Sequence, residues 1–378
     1  MKNKLIIFLS LIVICSCKQE FQSPVNKLSA DVLIMDGFIN TGNVESVITL
    51  SKLQDLKDTT SFIPELNAQV QLQEEAGTSV NFVNAGKGKY TLPARTYNAG
   101  KRYRLLITRS NGRKYESDFV AITATPPIDN LSYRTESNGV TILLNTHDVP
   151  TASRYFYWNY EETWQFKVPF PSKLVYKNKQ FIKRVEDIEY CFRTEKSNKL
   201  ILGSSVKFTD NKIEGQEIQF ADNASGRISL IYSILVSQHA VSKEYFDYLE
   251  KLKKNTETIG SIFDAQPTQN IGNLHSVSNK DEFVVGFFNL HSVQTKRLFI
   301  KANELPAFPP RPEDDCMVQE FDLRDRFGNV IFDAESSYGD STKLIPLTYT
   351  VSNTTAVVPE CGDCRIKGAL MKPSFWPF

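Results

Sequence analysis

Arg102-Tyr103-Arg104-Leu105-Leu106-Ile107, then Asn111-Gly112, then the return from Lys114 to Ala121, is the stretch that decides the fold. Asn-Gly between two apolar runs marks a tight hairpin turn. Upstream, Ala68-Gln69-Val70-Gln71-Leu72-Gln73 alternates with period two, the pattern of a half-buried strand. Val32-Leu33-Ile34-Met35 reads as a buried strand closed by Asp36-Gly37. Val44 to Leu50 follows the Thr41-Gly42-Asn43 turn, and Gly86-Lys87-Gly88 precedes Tyr90-Thr91-Leu92. About seven short strands in under a hundred residues spell a β-sandwich, placed over residues 30–125. Thr125-Pro126-Pro127 closes it, because two prolines cannot sit in a central strand.

The order V-x-L, G-x-Y, G-x-x-Y-x-L, G-x-x-Y-x-S in this region resembles prealbumin-like and immunoglobulin-like modules of secreted bacterial proteins. Residues 126–378 read as a larger β-rich domain. Leu131 to Thr146 is a hairpin around Asn138-Gly139. Tyr155 to Phe166 is the most aromatic stretch, and Ile228, Leu230, Tyr232, Ile234 and Val236 alternate. One amphipathic helix is expected over about 243–259, with Ser242 as N-cap, Val241 stapled onto Phe246, and Tyr245, Leu249 and Leu252 on one face. Gly260 is placed to end it. The fold class is therefore mainly β, with one packed helix.

The N-terminus carries an address. Lys2 and Lys4 introduce the short apolar run Leu5 to Val13, and Ile14-Cys15-Ser16 precede Cys17. This is a secretory signal of the lipoprotein type. Residues 1–16 are removed, the Cys17 thiol accepts a diacylglycerol, and its freed amine is acylated. The run is too short to span a bilayer, which takes about 20 apolar residues. Acyl chains contribute about 0.8 kcal/mol per buried methylene, so more than one gives stable anchoring. Residues 17–29 then form a lipidated tether. Lys18-Gln19-Glu20 resembles the surface-export signal of Bacteroidota lipoproteins, which implies an outer-membrane location facing outward.

The formal net charge of +1 argues against a nucleic-acid partner and against a polybasic membrane patch. After Cys15 and Cys17, four cysteines remain: Cys191, Cys316, Cys361 and Cys364. In an oxidising compartment an even number reads as disulfides, with three pairings open. Cys361-Gly362-Asp363-Cys364 as half of a zinc site lacks a second close pair, and a redox role lacks its βαβ context.

Catalytic patterns are absent from the sequence. His147, His239, His275 and His291 are scattered along the chain with no H-E-x-x-H, serines give no G-x-S-x-G, and no phosphate loop occurs. Adjacent Glu161 and Glu162 on a strand point to opposite faces, whereas a glycosidase pair faces one bond across about 5–10 Å. Trp158, Tyr160, Glu161, Glu162 and Trp164 are the candidate ligand-binding residues, since aromatic faces stack on sugar rings and carboxylates accept from hydroxyls. The competing reading makes the same aromatics a core strand. Asp264 reads as the cap of a rigid loop. Nothing asks for a cofactor or a metal.

Taken together, Trp158 to Trp164 with Glu161-Glu162, Tyr232 to Gln238, Gly260 to Pro267 with Gly272-Asn273, and the ending Cys361-x-x-Cys364-Arg365 to Lys372-Pro373-x-Phe375-Trp376 resemble the lipoprotein family grouped as "domain of unknown function 4249". The resemblance carries no catalytic residues over. It implies an accessory or ligand-capturing role beside a TonB-dependent outer-membrane nutrient transporter, with the acylated Cys17 in the outer-membrane lipid and a small nutrient as ligand. The alternatives are a structural or adhesion protein of the envelope, or a surface hydrolase.

Overall fold

The computed structural model describes residues 31–53, 62–150, 152–257, 272–280, 282–309, 316–338 and 343–378. The signal over 1–16, Cys17, the tether and the Gly260–Pro267 segment with Asp264 lie outside them. The architecture is mainly β, as expected, and its two large bodies are sandwiches.

In the first sandwich, the strands Leu33–Gly37, Ser46–Leu53 and Lys89–Leu92 form one sheet, and Gln69–Glu74, Arg102–Thr108 and Lys114–Ser117 the heart of the other. Alternation decides which side chains meet: Leu33, Ile48, Leu50, Tyr90 and Leu92 from one face pack on Val70, Leu72, Leu105, Ile107 and Tyr115 from the other. The Asn111-Gly112 turn closes as its sequence demands. Gly112 adopts φ +83°, a region few other residues enter, and its amide donates to Arg109 O at 2.9 Å.

This sandwich is completed from far along the chain. Val284–Val285 pairs in parallel with Leu33–Gly37, and Leu290–His291 in parallel with both Ile39–Asn40 and Val120–Thr123. Leu274–Ser276 adds to the edge of Lys114–Ser117. Residues 272–280 and 282–292, read from the sequence as part of the second region, therefore belong to the first. The sequence reads Phe283 to Phe288 as a strand, and Val284–Val285 lies within it, but strands of two or three residues carry no period that says which sheet they join. A partly buried ionic network fastens this return. Arg109 bonds Glu65 at 2.8 Å and Asp31 at 2.6 Å, Arg113 bonds Asp31 at 2.8 Å, and Tyr115 Oη donates to Glu282 at 2.7 Å.

In the second sandwich, Ile128–Thr135, Gly139–His147 and Lys212–Asp222 form one sheet. Tyr190–Lys196, Tyr155–Lys167, Ile231–Val241 and Val293–Lys301 form the other, with Ile201–Ser204 also paired to Tyr155–Lys167. Val140, Ile142 and Leu144 meet Phe156, Trp158, Tyr232, Ile234 and Val236 between them. The helix Lys243–Glu257 covers the outer face of the larger sheet. Ser242 Oγ accepts from Tyr245 N at 3.3 Å, the cap its sequence promised. The contact stripe is Val241, Phe246 and Leu249 against Tyr157; Leu252, expected on that face, is 38% exposed. Among the described residues, no helix is long and apolar enough to cross a membrane.

A third, small sheet of Gln319–Asp322, Asn353–Val357 and Ile345–Tyr349 precedes the ending. Two disulfides select one of the three pairings: Cys191–Cys364 and Cys316–Cys361. Phe192 and Ala369 exchange backbone bonds of 2.9 Å, so the ending adds to the edge of Tyr190–Lys196. Trp376 is buried between Phe192 and Phe299, with Phe375 under Arg297 and Phe378 under Lys301. The aromatic tail is docked.

Candidate functional site

Strand pairing sets Trp164 opposite Arg193 on one neighbour and Tyr232 on the other, so the three project from one face. At this end of the sheet the facing layer stops, and a cleft of about 430 Å³ opens. Trp164, Phe166, Val168, Pro169 and Leu230 supply its apolar surface. The turn Ser225-Gly226 forms one wall, and Glu360 and Lys367 of the disulfide-held ending form the other.

Its floor is electrostatically closed. The Arg227 and Arg193 guanidinium groups lie over the Trp164 indole, 4.8 and 5.7 Å from its centroid. Arg227 pairs with Glu162 and, at 2.8 Å, with Glu195, which also holds Arg193. The other oxygen of Glu162 accepts from Tyr232 Oη at 2.7 Å. Burial, followed by the adjacent Glu162, holds the Tyr232 phenol well above its ordinary range. At the cleft edge Lys167 bonds Glu189 at 2.8 Å, a hydrogen bond that raises the lysine and lowers the carboxylate. Lys367 Nζ and the Glu360 carboxylate, both exposed, have no ion-pair or hydrogen-bond partner among the described residues, so the mouth carries one free charge of each sign.

The five candidate residues divide. Trp164 lines the cleft, and Glu162 supports it through Arg227. Glu161 is half-buried beside Arg297 on the opposite face. Trp158 and Tyr160 lie in the sandwich core, where Trp158 Nε1 donates to Gln238 Oε1 at 2.9 Å. With Trp164 almost fully buried beneath two arginines, its ring offers no open face for a sugar to stack on. Sequence reasoning missed Arg193, Arg227, Glu360 and Lys367; the last two flank Cys361 and Cys364, and that adjacency was their only signal. It also read the histidines as scattered, yet strand pairing brings His239 and His291 together, Nδ1 to Nε2 at 2.9 Å. Among the described residues no three His, Cys, Asp or Glu side chains gather as metal ligands do.

Residues 18–297 match the family model described as Domain of unknown function (DUF4249). The chain belongs to that family. The match takes in both sandwiches of this DUF4249 protein except residues 298–301 of the strand Val293–Lys301, and ends before its disulfide-bonded ending, so one wall of the cleft lies outside the matched residues. No curated protein matches the chain. Two solved structures share 11% identity with it. The FN1-FN3 domains of chicken CNTN1 align over 56% of this chain and 62% of that one, with a TM-score of 0.18. A DUF3823 family protein from Parabacteroides merdae ATCC 43184 aligns over 56% and 91%, with a TM-score of 0.15. The DUF4249 chain thus spans about three fifths of the CNTN1 fragment.

Proposed function

We propose that the mature chain is a non-catalytic outer-membrane lipoprotein, anchored through Cys17, that captures a small nutrient in the Trp164 cleft and passes it to a TonB-dependent transporter. The observation that carries the capture reading is the cleft itself. It is assembled from separate stretches of chain, its internal charges are mutually satisfied, and its mouth keeps the unpaired Lys367 and Glu360. A cleft of mixed polar and apolar lining, with one cation and one anion at its mouth, suits a small ligand with charged ends. The ionisable groups on its floor are tied into ion pairs, and this favours binding over acid–base chemistry.

Three measurements test this. Mass spectrometry of the native polypeptide should find diacylglycerol and an N-acyl chain on Cys17; an unmodified product refutes the anchor. Extraction in mild detergent should co-purify a β-barrel transporter; recovery of the lipoprotein alone refutes the partnership. Titration with a panel of small zwitterionic and anionic nutrients, followed by tryptophan fluorescence, should give a saturable signal that K367A/E360A removes without lowering stability. A panel without response refutes the cleft as the site.

A second reading, adhesion or envelope structure, is favoured by the small third sheet and its flanking loop. Phe327, Val330, Ile331, Met317 and Val351 are all exposed there, and clustered exposed apolar residues mark contact surfaces. It predicts that deletion leaves nutrient uptake intact and weakens surface integrity.

A further inference from the structure

The two sandwiches meet through a cluster of rings, Phe38, Phe287 and His291 from the first against Tyr157, His239, Tyr245 and Tyr248 from the second body and its helix. Among the described residues, the chain crosses between them at residues 124–127 and again at Ser292. The crossings are bonded to each other: Thr125 N donates to Ser292 Oγ at 2.9 Å, and Thr125 Oγ1 donates to Ser292 O. Thr125 Oγ1 also accepts from Ala240 N at 3.0 Å. Two neighbouring crossings of this kind can serve as a hinge, and beside them sits the histidine pair.

His291 ends a strand of the first sandwich, and His239 belongs to the larger sheet of the second. Both are buried, at 0% and 3% exposure. Phe38, from the first sandwich, stacks on His291 at 4.1 Å; Tyr157, from the second, stacks on His239 at 4.1 Å. An N···N hydrogen bond needs one donor and one acceptor, so two neutral imidazoles satisfy it. The remaining polar neighbours are uncharged: Asn159 lies 3.4 Å from His239 Nε2, Asn289 lies 3.3 Å from His291 Nδ1, and Tyr157 Oη lies 3.4 Å from His291 Nε2. From the helix, Tyr245 faces the pair, with Tyr248 packed beside Tyr245. Asp36, on the first sandwich, is exposed; its charge reaches Tyr157, Tyr245 and Tyr248. No carboxylate of the described residues bonds either ring.

We infer that the His239–His291 contact is an acid-released latch, holding the two sandwiches together while both rings are neutral and parting them at the Thr125–Ser292 hinge when protons enter. One added proton buries a cation that no carboxylate balances. A second sets two cations against each other and removes the acceptor from their bond. Burial pulls His239 down to about 3, and burial followed by the His239 charge holds His291 well below its ordinary value. Depressed values fix the sign. Above the free-imidazole value of about 6.5, closed and open forms are both unprotonated and the latch holds. Below it the open form binds up to two protons that the closed form excludes, so closure weakens by up to about a hundredfold per pH unit. This inference is independent of the cleft.

The experiment is site-resolved amide hydrogen exchange on the full mature chain between pH 7.5 and 5.0, corrected for intrinsic rates. The amides of Thr41, Thr125 and Ala240, whose bonds span or adjoin the junction, should lose protection by more than tenfold, with a slope approaching two protons. Those of Leu105 to Ile107 and Ile142 to Leu144 should keep it. H239Q should halve the slope, whereas H147Q/H275Q, which removes the two exposed histidines, should leave it unchanged. If H239Q does not fold, the wild-type profile decides. Junction protection that is independent of pH, simultaneous loss in both cores, or a slope abolished by H147Q/H275Q overturns the latch.

Discussion

Removing the Cys191–Cys364 disulfide should cost more than removing Cys316–Cys361, and should empty one wall of the cleft. The first bond spans 173 residues of sequence and the second 45. In the chain-entropy model, closing a loop lowers the entropy of the unfolded chain in proportion to the logarithm of its length. That gives about 5 kcal/mol for the longer loop and about 4 kcal/mol for the shorter, an advantage of about 1 kcal/mol. The loops are nested. With Cys316–Cys361 intact the outer loop is effectively shorter, which changes its figure by only a few tenths of a kcal/mol. Cys191 and Cys364 are also fully buried against Val168, so alanine at both leaves a void that adds to the loss. The assay is urea unfolding of C191A/C364A and C316A/C361A under oxidising conditions, followed by tryptophan fluorescence. Trp376 reports on the docked ending, and Trp158 and Trp164 on the second sandwich. In C191A/C364A the Trp376 signal should change first, at a urea concentration where the sandwich still holds. Equal midpoints for wild type and C191A/C364A, or a smaller loss there than in C316A/C361A, refutes the reasoning.

Four further outcomes follow from buried and half-buried groups. Arg109→Met should destabilise the first sandwich by about 3–5 kcal/mol, because Glu65 is left as a buried charge without its partner; thermal or urea unfolding measures it. Asp31 is held below its ordinary range chiefly by its hydrogen bond to Arg109, so its contribution is complete above about pH 4 and is lost as pH falls through the lowered value. Asp31→Asn should accordingly flatten the acid limb of the stability profile. Glu162→Gln should cost about 1.5–3 kcal/mol by weakening its charged bonds to Arg227 and Tyr232, read as a lower urea midpoint for the Trp164 signal. Trp376→Ala should cost about 3–5 kcal/mol at the docked tail, with proteolysis beginning after residue 366.

The strands that carry a period were readable. Val70 and Leu72 alternate and are buried, as are Leu105 and Ile107, because one face of each strand meets the opposing sheet. Thr125-Pro126-Pro127 does mark a passage between bodies, with Pro126 O accepting from Gln238. What could not be read was non-local. Leu290-His291 has two strand residues and no pattern of its own, and only three-dimensional pairing sets it between Ile39 and Ile122. The cleft illustrates the same limit. Trp164 stood out for its chemistry, but Arg193 and Lys367 are ordinary surface letters until strand register and a disulfide carry them to it. Glu162 looked like an acceptor for a ligand, and is instead spent on Arg227 and Tyr232.

Asp31 is gripped by two arginines and lies just before the Leu33–Gly37 strand. A mechanical load arriving from the N-terminal side would run along that strand. Its ladders to Ser46–Leu53 and Val284–Val285 would then resist in shear, many bonds at once, rather than peeling one by one. The first sandwich would thus meet such a load at a braced strand, because Val284–Val285 keeps its leading strand from being an unprotected edge.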